Sequence, residues 1–170
     1  MANYAEYINR EDAQSNSATR ECAVADTVTV FNRDFVGYDA NGRVTSASVA
    51  GLRLIGMVLG GPSRIKGRSQ RTSTGSALSA TGDTAGKTKV LVTIEPEAEY
   101  LLKASAALTA AQVGSTFNLQ GAPGSQLINA TAATGGATTG VGQFELVRLA
   151  EGMRGTDNTF GVFRLRKERA

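Results

Sequence analysis

The most regular alternation of apolar and polar positions in the chain lies in KVLVTIEPEAEYLLKASAALTAAQVGSTFNL, residues 89–119. Val90, Val92, Ile94, Pro96, Ala98, Tyr100 and Leu102 share one parity, and Glu95, Glu97 and Glu99 share the other. A period of two is the mark of a strand with one buried face. Proline cannot donate to a ladder and belongs at an edge or a bend. The run therefore predicts one long strand, or two collinear strands turned at a corner. ALTAAQVG at 107–114 breaks the alternation and predicts a single helical turn. Thr109 takes the N-cap position, Gln112 three residues on completes a capping box, and Gly114 ends the turn.

The same reading extends along the chain. Val24, Val28 and Val30 in VADTVTVF fall on one face of a strand. Asn41-Gly42 predicts a hairpin with a type I′ turn, which needs positive φ at both central residues, and its second arm covers about 43–49. LRLIGMVL at 52–59 is apolar on both faces, as a strand buried on both sides is. Residues 61–87 read as one long Gly/Ser/Thr loop, part of it a ragged hairpin arm. STFNL, a short segment near 126–130, QFELVRL and FGVFRLRK supply further strands, with Phe144, Leu146, Phe163 and Leu165 inward and Arg164 and Arg166 opposite. About eight short strands at regular spacing, with turns between, predict a single all-β domain over 23–170, a small barrel or sandwich. Residues 1–22 precede it as an extended N-terminal arm.

Composition narrows the chemistry. A chain of 170 residues suits one domain with a real core. Histidine is absent, which removes the commonest general base and neutral metal ligand and rules out a Ser-His-Asp triad. Cys22 is the sole cysteine, so an intrachain disulfide and a cysteine metal cluster are both excluded. Glu95, Glu97 and Glu99 offer oxygens that a hard cation could use. Their alternation is equally that of a solvated strand face, or of carboxylates paired with Arg or Lys on a neighbouring strand. TGDTAG at 81–86 fits neither G-x-x-x-x-G-K-[ST] nor G-x-G-x-x-G and reads as a turn. The expectation is a protein that is not an enzyme, with no cofactor and no bound metal. The longest apolar run, LIGMVLGG at 54–61, is far too short to span a bilayer, and the N-terminal segment has no secretory-type apolar core.

Two features point to a partner. Tyr4, Tyr7 and Ile8 cluster within the otherwise polar arm and would serve as its anchors. Arg64, Lys66, Arg68 and Arg71 concentrate positive charge in the long loop of a chain whose net charge is +3. Such a cluster can salt-bridge to an acidic protein surface or grip phosphates. No aromatic residues are interleaved with it, as a stacking platform for single strands requires.

GDTAGKTKVLVTIEPEAEYLLKASAALTAAQVGSTFNL, the Gly/Thr loop after it, QFELVRL and the terminal FGVFRLRK together resemble the capsid cement (head decoration) proteins of tailed bacteriophages. In that family a strand bearing Tyr or Phe is followed by an LTAA-x-x-G element, as at Leu108–Gly114, and then by a short strand. The resemblance covers residues 50–165 and leaves out the arm and most of the basic loop. It implies a virion protein on the outer capsid surface that bridges subunits of the major capsid protein. It also implies a homo-oligomer, trimer preferred and dimer possible, with no membrane and no direct nucleic-acid partner. A nucleic-acid-binding barrel and a tail or head-fibre component are the alternatives.

Overall fold

The computed structural model describes the backbone of residues 5–8 and, with side chains, residues 19–46, 54–59, 79–94, 98–131, 142–150 and 158–166. Fourteen strands lie among them. In chain order they are β1 (Ala5–Ile8), β2 (Thr19–Ala23), β3 (Thr29–Phe31), β4 (Phe35–Tyr38), β5 (Val44–Ser46), β6 (Leu54–Met57), β7 (Ser79–Thr81) and β8 (Lys89–Thr93). They continue as β9 (Glu99–Lys103), β10 (Thr116–Phe117), β11 (Leu119–Gln120), β12 (Leu127–Ile128), β13 (Phe144–Leu149) and β14 (Phe160–Leu165). One 3₁₀ turn, Ala110–Gln112, is the only helical element among the described residues. The chain is all-β. Its sheets are open, and none of them closes into a barrel.

The strands fall into two compact units. The first holds β2 to β8 together with the short segment Ala122–Ser125. Its ladders are β2–β8, β3–β7 and the three-stranded β5–β4–β6, all antiparallel. Cys22, Val24, Val30, Val36, Val44, Val58, Val90 and Val92 form its core. Small β-branched side chains let backbones approach closely. A β-carbon at Gly56 on β6 would lie 1.5 Å from the carbonyl oxygen of Thr93, so glycine alone fits where β6 crosses β8. The Thr93 hydroxyl then accepts from Met57 N–H at 3.0 Å.

The second unit holds β1 and β9 to β14. Its main sheet is antiparallel, in the order β1–β9–β14–β13–β10. Tyr100, Phe163 and Leu146 sit opposite one another across β9, β14 and β13, all fully buried. Phe117 packs edge-on against Phe163, with ring centroids 5.7 Å apart, a geometry the ring quadrupoles favour. Leu101, Val162 and Ala150 form a second, smaller cluster with Val147 and Phe160. Leu101 alternates with Tyr100 along β9, so that strand is buried on both faces.

Several expectations change in detail. The alternating run 89–102 is two strands in different sheets, β8 and β9, on either side of residues 95–97. VADTVTVF is interrupted: Thr27 adopts φ +61, and Val28 N–H bonds back to the Ala25 carbonyl at 3.1 Å, so β3 starts only at Thr29. The hairpin at Asn41-Gly42 forms as β4–β5, but only Gly42 has positive φ (+72), so the turn is not type I′. Gly42 N–H bonds to the Asp39 carbonyl at 3.1 Å and Asp39 N–H to the Arg43 carbonyl at 2.8 Å. That pattern is a three-residue loop closed by a left-handed glycine. Asp39 Oδ1 selects it by accepting from the N–H groups of Asn41 (2.9 Å) and Arg43 (2.8 Å). The stretch 61–87, read as loop, contains β7 and the turn that Gly86 closes at φ +65.

The turn at 110–112 is present with the capping box of Thr109 and Gln112. Gln112 Oε1 accepts from Thr109 N–H at 2.8 Å, while the Thr109 hydroxyl lies 3.2 Å from the same oxygen. Gln112 Nε2 donates to the Ala130 carbonyl at 3.1 Å, fastening the turn to the segment after β12. Gly114 ends the turn at φ +84.

Candidate functional site

The candidate contact residues do not all lie where they can be followed. Tyr4, Arg64, Lys66, Arg68 and Arg71 fall outside the described residues, as do Glu95 and Glu97. Tyr7 and Ile8 lie on β1, which pairs antiparallel with β9: Tyr7 stands opposite Tyr100 and Ile8 opposite Glu99. The N-terminal segment thus supplies the outermost strand of the five-stranded sheet. At the other end of the arm, residues 19–22 already belong to β2, where Arg20 pairs with Val92 and Cys22 with Val90. AEYI and TRECA carry little apolar alternation. The pairings come from distant strands and leave no local signal.

Glu99 has left the solvated row in which the sequence placed it as one possibility. It is buried and pairs with Arg164 of β14, Oε1 to Nη2, at 3.1 Å. The two are direct cross-strand partners, and Glu145 of β13 stands opposite Arg164 on the next strand. The guanidinium reaches Glu99 through one arm, and its Nε is buried without a hydrogen-bond partner. At the other end of the same ladder the Lys103 ammonium lies 6.0 Å from the centre of the Phe160 ring.

Asp34 was not singled out from the sequence. It is fully buried, with Oδ2 accepting from Phe31 N–H at 2.8 Å and Oδ1 from Gly124 N–H at 2.9 Å. It thereby holds Ala122–Ser125 in the first unit, and the Phe31 ring lies 3.1 Å from the point a Gly124 β-carbon would occupy. The available signal was an Asp in a short polar turn between two apolar runs, a residue type that bonds nearby backbone N–H groups.

Other described ionisable groups hold turns and edges. Asp83 accepts from Lys87 N–H (3.0 Å), Thr88 N–H (2.9 Å) and the Thr88 hydroxyl (2.8 Å). These bonds, that from Lys87 foremost, hold its carboxyl below the ordinary range. Arg43 donates to the Asp83 and Thr84 carbonyls of the same turn. Glu21 and Lys89 form an exposed ion pair at 3.0 Å. Cys22 is buried, with Sγ 3.6 Å from the Tyr38 hydroxyl. Burial first, and then the Cys22 contact, push the Tyr38 hydroxyl above its usual pKa. Among the described residues, no three His, Cys, Asp or Glu side chains group as metal ligands would.

Leu59 and Leu91 are exposed neighbours, joined by a bond from Leu59 N–H to the Leu91 carbonyl at 2.9 Å. A scan against protein-family models, a search of curated proteins and a search of solved structures found no match to this chain.

Proposed function

We propose that the chain is a virion structural protein of a tailed bacteriophage. In this reading it binds the outer capsid surface and bridges neighbouring subunits of the major capsid protein. It acts as a small symmetric oligomer, a trimer in preference to a dimer. The observation that supports this reading best is β1. A four-residue strand from the N-terminal segment attaches to β9, far away in sequence, as the outermost strand of an open sheet. Strand addition through backbone bonds is a general way for a rigid β body to engage a neighbour.

Anchoring by such a segment is weak per copy. Burying each large side chain contributes about 1.5–3 kcal/mol, and fixing each residue's backbone costs about 1–2 kcal/mol. Copies that bind together on a repeating shell turn this small surplus into firm attachment. The basic cluster Arg64, Lys66, Arg68 and Arg71 adds charge attraction to an acidic shell, acting mainly on association rate and salt dependence.

The test is to add the purified protein to expanded shells of the phage that encodes it, follow co-sedimentation, and reconstruct the decorated particle. Saturable density on the outer surface, bridging subunits, is the expected result. Absence of the chain from purified particles would overturn the proposal. Density confined to the tail would favour the fibre reading. Tight, salt-dependent retention of DNA on a filter would favour the nucleic-acid reading.

A further inference from the structure

We propose that Asn41-Gly42, at the tip of the β4–β5 hairpin, is a spontaneous deamidation site whose rate in the folded protein is held down by Asp39. Asparagine is among the chemically labile side chains, and the residue after it decides how readily it reacts. Here the backbone nitrogen of Gly42 loses its proton and attacks the side-chain carbonyl carbon of Asn41. A new C–N bond forms, the bond to the amide nitrogen breaks, and ammonia leaves carrying a proton. Water then opens the five-membered imide at either carbonyl, giving aspartate or isoaspartate. No oxidant or cofactor takes part.

Asn41 is the only asparagine in the chain that is followed by glycine. Both residues are exposed, and a β-carbon placed at Gly42 would meet nothing within 4 Å. Neither a side chain on the attacking residue nor a neighbouring group blocks closure of the imide. The other described asparagines outside the 31–34 turn, Asn118, Asn129 and Asn158, precede Leu, Ala and Thr, whose side chains crowd the attacking nitrogen.

The hairpin loop opposes the reaction. The Gly42 N–H that must be released is bonded to the Asp39 carbonyl at 3.1 Å. Asp39 Oδ1 pins the residues on either side through Asn41 N–H at 2.9 Å and Arg43 N–H at 2.8 Å. Bringing the Gly42 nitrogen to the Asn41 side chain requires rotation about the Asn41 Cα–C bond, and that rotation pulls against these bonds. Reaction adds a carboxylate beside that of Asp39 and takes the net charge from +3 to +3 − 1 = +2. The isoaspartate product also inserts a methylene into the backbone between Tyr38 and Val44, which are register partners.

The experiment incubates the full chain, folded in mildly alkaline buffer and unfolded in urea, and measures conversion at each asparagine by peptide mapping with mass spectrometry. Asn41 should convert first in both states, and more slowly when folded. Asp39→Ala removes two ordinary hydrogen bonds, each worth about fivefold, and should speed the folded reaction by about five- to thirtyfold while leaving the unfolded rate unchanged. Asp39→Asn, which keeps an acceptor oxygen, should stay near the parent rate. The proposal fails if Asn118, Asn129 or Asn158 converts before Asn41. It also fails if folding gives no protection, or if a folded Asp39→Ala protein reacts at the parent rate. Should Asp39→Ala not fold, the rate of Asp39→Asn and the folded-to-unfolded ratio of the parent chain decide.

Discussion

Replacing Asp34 by alanine probes the one fully buried carboxylate among the described residues of the first unit. The side chain satisfies two backbone donors, Phe31 N–H at 2.8 Å and Gly124 N–H at 2.9 Å. Alanine offers neither an acceptor. A stranded buried donor costs about 1–3 kcal/mol. Phe31 and Gly124 are themselves partly exposed, which lets water recover some of that cost. The sum for two donors is then about 2–4 kcal/mol. In a chain of this length a loss of about 3 kcal/mol lowers the melting temperature by roughly 6–12 °C. Asp34→Asn keeps one acceptor but turns an NH₂ group toward the other donor, so its cost should be of the same order. The assay is a thermal melt of each variant, together with hydrogen exchange at the Phe31 and Gly124 amides. Both amides should exchange faster in Asp34→Ala than in the parent. A melt within about 1 °C of the parent, with both amides still protected, would show that Ala122–Ser125 is held by packing on Phe31 and not by Asp34.

Further outcomes follow from the same geometry. Gly56→Ala should cost far more than Gly42→Ala. The first drives a β-carbon into the Thr93 carbonyl at 1.5 Å, whereas the second meets open space and bears only the left-handed backbone penalty of about 1–2 kcal/mol; equal melting temperatures would refute the β6–β8 approach. Asp83 has a lowered pKa, so the stability it contributes is complete above the ordinary carboxylate range and is lost as pH falls through its own lower value. The stability gap between the parent and Asp83→Ala should therefore close on acidification, as read by urea denaturation across that range. Deleting residues 1–8 removes β1 but leaves β2, and should lower shell occupancy at least about tenfold through lost multivalency while the body stays folded. Undiminished decoration by the truncated protein would remove the arm from the mechanism.

The legible parts of this fold were those with local causes. Alternation located β8, β9, β13 and β14, and Gly114 and Gly42 marked real left-handed positions. The type of the 39–43 loop was not legible from Asn41-Gly42 alone, because the Asp39 carboxylate, two residues upstream, selects among turns that the dipeptide permits. The break at Thr27 defeats a pattern argument for a similar reason: the valines on either side keep their phase while the backbone between them reverses. Strands β1 and β2 escaped because edge strands need no apolar face of their own, and three of the five β2 residues are exposed. Of the candidate contact residues, Tyr7 and Ile8 acquire a definite register, opposite Tyr100 and Glu99.

The register on the other edge of β9, against β14, depends on a pair the alternation disguised. Parity alone put Glu99 with Glu95 and Glu97, yet β9 is buried on both faces, and Glu99 shares its face with Leu101. A buried carboxylate needs a partner, and Arg164 provides it from β14. Such pairs add little net stability, but they discriminate between registers. Sliding β9 by two residues along β14 preserves which side chains face inward. In one direction it sets Glu99 against Val162, leaving a buried charge unpaired; in the other it sets Leu101 against Arg164 and withdraws it from Val162 and Ala150. Only the observed register satisfies both the charge and the apolar cluster. The opposite edge of β9 carries β1 in a register of its own, with Ile8 at Glu99 and Tyr7 at Tyr100. A partner strand that took the place of β1 would meet the same fixed edge.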